Sequence, residues 1–459
     1  MKSPPSPHSR SLLFATLWLI ACARAATAQP AELDPARQWG NWRGPLQNGS
    51  APHAQPPVKW DARRHVRWKV DLPGEGASTP IVWGERVFVA AAVPTGQAVP
   101  RPPLDPRQQT EPPGELYDYV AICLDRDTGK ERWRRVLATR APSEGRHATN
   151  TYAGGSPCTD GKQLIVSFGS QGIFALDLDG NPLWARRLGP LRTRRGWGEA
   201  VTPALHKGRV VVNWDHEDDS YLYALDAATG ATLWRKDRPG EVTSWNTPLC
   251  VAANPSASDA DRDQPRDVII VNGTGAARAY DLETGAELWR CGGQTVNAIP
   301  TPVQVGNSVV CMSGYRGQTA VCVPLDARGD LTNSSSLAWR YDQDTPYVPS
   351  PSLAGQTLFF TKVNDAILTG LNAETGEVQH EPRRLPSLGT VYASPLVADG
   401  RLYIADRDGM TVVLDAVSLE VLAVNELPAG VDASPVAVGE QLLLRTRNAV
   451  YCLETEKAE

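Results

Sequence analysis

Trp197 and Glu199, Trp245 and Asn246, Asn272, Arg316, Asn364 and Asp365, Tyr392 and Arg407 are the residues whose types and surroundings could do chemistry, with Asp215 and His216 in the acidic run Trp214 to Ser220. Carboxylates beside a His could hold a hard cation, but the run has no fixed ligand pattern like that of an EF-hand, so a solvated loop is the plainer reading. Glu199 and Asn272 are weaker cation candidates, because a carboxylate there can equally bond backbone amides. Arg316 and Arg407 could grip an anion or pair with Asp365 and Asp408. Trp197, Trp245 and Tyr392 offer flat faces that suit either a stacked ligand or rim packing. No Gly-x-Ser-x-Gly, His-Glu-x-x-His, P-loop or Cys-x-x-Cys-His string occurs, which removes the commonest hydrolase, zinc-protease, nucleotide and haem readings.

These residues sit on loops between repeats. AYDLETGAELWR from Ala279 recurs as CLDRDTGKERW from Cys123, ALDLDGNPLW from Ala175, ALDAATGATLW from Ala224, PLDARGD from Pro324, LNAETGEVQ from Leu371, and in weaker form from Val413 and Cys452. The Asp can bond amides two residues on, and Gly takes the positive φ of a tight loop, so each copy predicts a β-hairpin. Ser/Thr-Pro pairs, from Thr79-Pro80 to Ser434-Pro435, recur every 40 to 54 residues with one interval of 77. Pro is tolerated where a strand begins, so these mark the innermost strands, and the period suits four strands per repeat. Near-continuous apolar second strands such as RVVVNW predict burial on both faces. Outer-strand Trp68, Trp133, Trp184, Trp234, Trp289 and Trp339 are expected to pack repeat against repeat. Two copies lack the Trp, with Gln379 or its neighbours and Leu422 in its place, and those junctions are expected to be the softest.

The expected fold is all-β, an eight-bladed propeller of four-stranded blades. HVRWKVDL from His65 supplies the outer strand that the last repeat lacks, so the ring closes without an exposed edge. Antiparallel order puts the loops entering the first strands and those joining second to third strands on one face. That face carries the residues named above and is the expected working surface, or mouth.

With 39 Gly and 38 Pro, the composition points to many short strands punctuated by turns. Residues 1–28 read as an export signal, with Lys2 and Arg10 ahead of an apolar run too short to span a bilayer. Ala26-Thr27-Ala28 competes with Leu19 to Cys22, a lipobox-like string that would leave a lipidated Cys22. The expected organisation is a signal (1–28), a lead (29–64) and one propeller (65–459) with insertions near 94–117 and 252–267. The whole chain carries a formal charge of −5, and without Lys/Arg runs this argues against nucleic acid as partner. Cys123, Cys322 and Cys452 fall at like positions and read as small packing residues, with no disulfide framework.

From about Trp39 to its end the chain resembles the pyrroloquinoline-quinone-like (PQQ-like) β-propeller repeat family, through the LD-x-x-TG-x-x-x-W strings. Two branches follow from that resemblance. Quinoprotein dehydrogenases oxidise alcohols or sugars with PQQ and calcium at the axis, using Glu, Asn and Asp ligands, a catalytic Asp and often a disulfide between adjacent cysteines. This chain has no adjacent Cys pair, only Glu199 and Asn272 match by type, and no Asp takes the base role. The other branch resembles the propeller lipoprotein of bacterial outer-membrane barrel assembly, a scaffold without catalysis, which the Cys22 string favours. The expectation is an exported, periplasmic or outer-membrane-associated binding or assembly scaffold rather than an enzyme, with a protein or small ligand at the mouth. Membrane contact would come only through a Cys22 lipid. The dehydrogenase is the alternative, and PQQ and calcium are the cofactors it would require.

Overall fold

Each hairpin signature does two jobs, one within its blade and one toward its neighbour. Inside the turn, Asp125 Oδ1 accepts from the amides of Asp127 and Thr128 at 3.1 and 2.9 Å and from the Thr128 hydroxyl at 2.8 Å, and Asp226 and Asp281 hold Thr229 and Thr284 in the same way. Toward the neighbour, the indole N–H of the preceding blade's Trp donates to the carbonyl just after that Asp. Trp68 reaches Arg126, Trp133 reaches Leu178, Trp184 reaches Ala227, Trp234 reaches Leu282 and Trp339 reaches Ala373, at 2.7–3.0 Å. The hairpin Gly lies flat under the same ring: a Cβ at Gly129, Gly180, Gly230, Gly285 or Gly376 would stand 2.6–2.7 Å from the indole. A side chain there would wedge the blades apart, so Gly serves close approach as well as positive φ.

The computed structural model describes Met1 and residues 33–103, 105–252 and 266–456. The signal, Cys22 and all but the ends of the 252–267 insertion lie outside the described residues. Eight sheets carry four antiparallel strands each, from Ile81–Trp83 through Glu131–Arg140 in blade 1 to Val436–Val438, Gln441–Arg445 and Ala449–Glu454, the first three of blade 8. Val66–Asp71 closes blade 8 by pairing antiparallel with Ala449–Glu454, Trp68 opposite Cys452. Blades 4 and 7 gain a short parallel fifth strand, Gly329–Asp330 and Ser50–Ala51 respectively.

The Ser/Thr-Pro pairs stand just before the inner strands. Seven of the eight hydroxyls form a girdle around the axis, accepting from the backbone N–H of the Ser/Thr one blade earlier: Thr79 to Ser156, Ser156 to Thr202, Thr247 to Thr301, Thr301 to Ser350, Ser350 to Ser394, Ser394 to Ser434, and Ser434 back to Thr79. Those amides, buried on the inner wall, would otherwise lack acceptors. Second strands such as Arg209–Trp214 are buried almost throughout, because blades cover both faces.

Register corrects one expectation. The Trp-equivalent position of blade 6 is His380, opposite Gly370 and next to Gln379 as expected, whereas that of blade 7 is Ala423, opposite Val413, rather than Leu422. His380 stacks on Phe359 at 5.5 Å. Beside Ala423, Trp60 from the lead fills the space, near-parallel to Tyr403 at 6.5 Å, with its amide on Asn425 Oδ1. Trp289 differs from the other outer Trp residues: it pairs with Gly329 of the fifth strand and its buried indole N–H has no partner among the described residues. The seven described cysteines are free and buried, and Cys123, Cys322 and Cys452 face Trp133, Trp339 and Trp68 across the sheet, where bulk would not fit.

The lead is a stopper. Trp39 bridges Val82, the Gly40 carbonyl accepts from Thr159, Gln47 reaches the Cys250 carbonyl, Leu353 donates to Asn48, and Gln55 donates to Gly439. These contacts touch blades 1, 2, 4, 6 and 8 where the inner strands end, and Ser50–Ala51 adds blade 7. At its centre Arg43, 2% exposed, bonds the Pro351 carbonyl and the Ser352 hydroxyl. With no carboxylate against it among the described residues, burial lowers its pKa to about 9. The axial channel is therefore stoppered on the face opposite the mouth.

Candidate functional site

On the open face, loops from successive blades enclose a cavity of about 430 Å³. Trp197, Trp245, Tyr315, Tyr347 and Tyr392, one from each of the loop sets of blades 3 to 7, make an aromatic arc, while His147, Thr149, Asn150 and Asp432 line the remaining side. Trp197 and Trp245 lie near-parallel with centroids 6.4 Å apart, and Tyr315 and Tyr347 stack at 4.6 Å. The Trp245 indole is fixed by the Gly198 carbonyl at 2.8 Å, and the His147 ring meets Trp197 edge-on.

Of the candidates named from the sequence, Trp197, Trp245 and Tyr392 line this cavity, and so do Tyr315, Tyr347 and Asp432, which strand order also puts on this face. Arg407 backs it, its guanidinium 4.4 Å over the Tyr392 ring. It pairs with Asp432 at 2.6 Å rather than with Asp408, because Asp432 reaches across from the loop entering blade 8. Arg316 lies over the Tyr315 ring at 5.3 Å and makes no ion pair with Asp365, which is exposed. Asn364 Oδ1 accepts from the Val348 amide and shapes the rim.

The acidic run is not a solvated loop at its start. Asp215 and His216 are buried, and Asp215 forms a two-pronged pair with Arg238 at 2.7 and 3.0 Å. Ser244 donates to Asp215, Asn213 and Asn246 donate to Ser244, Asn246 also bonds the Asn272 carbonyl, and Asn272 donates to the Pro300 and Met312 carbonyls. This network, below the aromatic arc, holds the Ser244 to Asn246 turn that presents Trp245. Burial holds His216 below its usual pKa, with Asp218 opposing, so it is neutral near pH 7.

Glu199 stands apart in a side cleft that shares Gly154 and Ala200 with the main cavity and that Glu144 also lines. One Glu199 oxygen accepts from the Ser170 amide at 2.6 Å. Glu144 bonds the Thr193 amide and hydroxyl and Gln108. Burial raises Glu144 to about 7 and Glu199 to about 8, and Glu144 adds to the rise at Glu199. A raised carboxyl pKa means the folded state holds its proton more tightly, so the stability it confers is full below about 4.5 and is lost as pH climbs through 7 to 8. The melting midpoint is expected to fall between pH 5 and 8.5, and Glu199→Gln to flatten that fall; equal slopes in both proteins would refute it.

The quinone-calcium constellation does not form. Asn272 is fully buried with its amide donors on backbone carbonyls, and neither it nor Asn246 lines the cleft of Glu199. Among the described residues no three His, Cys, Asp or Glu side chains group as metal ligands would. The residues present do not fit that cofactor pair.

His147 and Asn150 were missed in the sequence; the polar run Arg146 to Asn150, just ahead of Tyr152 in an entering loop, was the available signal. The insertion near 94–117 extends two strands of blade 1 until Ala98 faces Glu115, and its turn docks on the loop carrying Trp197. Gln109 donates to the Arg195 carbonyl, Thr110 to that of Gly196, and Arg107 pairs with Asp218. It braces Trp197 from outside and lines no part of the cavity.

A family model described as outer membrane protein assembly factor BamB matches residues 58–194 and 117–382. The BamB of Legionella pneumophila (strain Paris) is 25% identical over 194 residues, 40% of this chain and 47% of that protein, so the chain spans about half the length of this curated relative. Among solved structures, quinohemoprotein alcohol dehydrogenase from Comamonas testosteroni aligns at a TM-score of 0.57 with 13% identity, covering 92% of this chain and 81% of that one. BamB from Moraxella catarrhalis aligns at 0.49 with 15% identity, over 79% and 100%. The dehydrogenase likeness is one of fold.

Proposed function

From a chain that belongs to the family of outer membrane protein assembly factor BamB, we propose an exported scaffold, periplasmic or outer-membrane-associated, that holds polypeptide partners in its mouth. One observation carries the reading: the cavity on the mouth face has an aromatic arc on one side and hydrogen-bonding groups on the other. An extended peptide matches that division. Its side chains alternate, so apolar ones can enter the arc while backbone groups meet His147, Asn150 and Asp432. Charge is not what recognises the partner, because Asp432 is already shared by Arg407 and Arg447.

The test is fluorescence anisotropy with labelled strand-forming peptides that alternate aromatic and polar residues. Trp197→Ala and Trp245→Ala are each expected to weaken binding about 10- to 100-fold, the loss of ~1.4–2.7 kcal/mol that a buried aromatic anchor supplies. Affinity unchanged in both variants would sink the reading. A melting midpoint raised by PQQ with calcium, through binding linkage, would transfer support to the dehydrogenase alternative.

A further inference from the structure

A second cavity, about 220 Å³, lies on the stoppered face between the lead, the end of the blade 8 inner strand at Val438–Gly439, and the hairpin joining the third and fourth strands of blade 1. Arg37, His53 and Arg126 line it, with no carboxylate among the lining residues, although Arg37 also pairs with Asp34 at 3.7 Å. In a chain of net charge −5 this is a local reversal of sign.

Arg126 departs from the repeat. At the same hairpin position the other copies carry Leu178, Ala227, Leu282, Leu325, Ala373, Ala416 and Thr455, none of them charged. What the fold needs there is only the backbone carbonyl that receives the indole of the preceding blade, and Arg126 supplies it to Trp68 at 2.7 Å. Its side chain takes no part in that docking and is held firmly between blades 1 and 8. Nε donates to Gln441 Oε1 at 2.8 Å and Nη1 to the Gly84 carbonyl at 3.2 Å. Gln441, itself buried, is fixed in turn by Glu454 at 2.9 Å. Nη2 has no acceptor among the described residues and lies beside Gly439, on the cavity wall. A guanidinium with two donors spent and its outer edge aimed into a basic cavity is arranged for an oxyanion.

We propose that this cavity binds a phosphate-class anion, with Arg126 as the fixed donor and His53 and Arg37 closing over it. The volume is several times the ~30 Å³ share of one water, so a phosphate or a phosphodiester headgroup fits. Calorimetric titration of inorganic phosphate, against chloride at matched ionic strength, is expected to saturate with Kd below about 10 mM, modest as suits a half-open site. Arg126→Leu, whose residue the repeat already accepts at positions 178 and 282, is expected to weaken this at least 10-fold, and His53→Ala, an exposed change, about 3-fold. Sedimentation with phosphatidylglycerol and phosphatidylcholine vesicles separates the sources. Arg126-dependent binding to the anionic vesicles alone identifies a lipid headgroup, and phosphate saturation without vesicle binding identifies a soluble phosphate. No saturation by phosphate together with vesicle binding that is absent or indifferent to Arg126→Leu, or phosphate affinity unchanged in both variants, overturns the site.

Discussion

Replacing Trp339 by Ala is expected to destabilise the protein by about 3–5 kcal/mol, the range for emptying a large aromatic from a core. The ring is 7% exposed, sandwiched between its own blade and the Gly376 hairpin of the next. Its removal loses the burial of the indole, leaves a slot that rigid strands on both sides cannot close, and strands the Ala373 carbonyl that the indole bonds at 3.0 Å. Gly376→Ala attacks the junction from the other side: its φ of +74° strains any side chain, and the added Cβ would stand 2.7 Å from the ring. Urea midpoints at unchanged m-value report both. A Trp339→Ala loss below about 1 kcal/mol would mean that the docking of indole on hairpin does not hold the blades together. Peptide affinity at the mouth should survive in the folded fraction, since Trp339 lines no part of that cavity.

That junction also explains why so much of the fold could be read from the sequence. Asp125, Thr128, Gly129 and Trp133 recur at fixed spacing because each closes its own turn or docks on the next blade, and a contact repeated around a ring leaves a repeated residue. The Ser/Thr-Pro pairs were visible for the same reason, although spacing alone could not reveal that their hydroxyls form the axial girdle. The Trp-equivalent position was missed by one residue only in blade 7: the same bulge stands in the Trp-bearing blades, so the spacing that leads from Asp125 to Trp133 leads from Asp415 to Ala423 and not to Leu422. The lead was read only as a stretch ahead of the first strand, with no role assigned. Its contacts are unique and long-range: Arg43 meets Ser352 across 309 residues, and no periodicity can announce that.

The site was legible in outline only. Strand alternation indicates which loops share a face, and this brought out Trp197, Trp245 and Tyr392. Partners across blades were not visible: Arg407 was matched to its sequence neighbour Asp408, whereas Asp432 from the next blade takes it. Asp215 and His216 looked solvated because the run Trp214 to Ser220 is acidic, and the cation that lets Asp215 be buried arrives 23 residues later.

That cation makes the second large effect. Arg238→Met is expected to cost about 3–5 kcal/mol, the penalty for leaving a buried charge without its partner. Both side chains of the Arg238 and Asp215 pair are wholly buried. Burial opposes the charge on Arg238, and Asp215 and Tyr280 outweigh it, so the guanidinium is held above its ordinary pKa. With Met in its place, Asp215 keeps only the Ser244 hydroxyl at 2.8 Å. Asp215→Asn in the same chain removes the stranded charge, and the double variant should recover more than half of the loss, because an apolar and neutral pair of similar volume is close to isoenergetic with a buried ion pair. The loop consequence separates this from general destabilisation. Ser244 and Asn246 bracket Trp245, so Arg238→Met should weaken peptide binding at temperatures where the chain is still fully folded, and the double variant should restore part of it. Equal affinities in all three proteins would detach the buried pair from the mouth and leave it a purely structural bond.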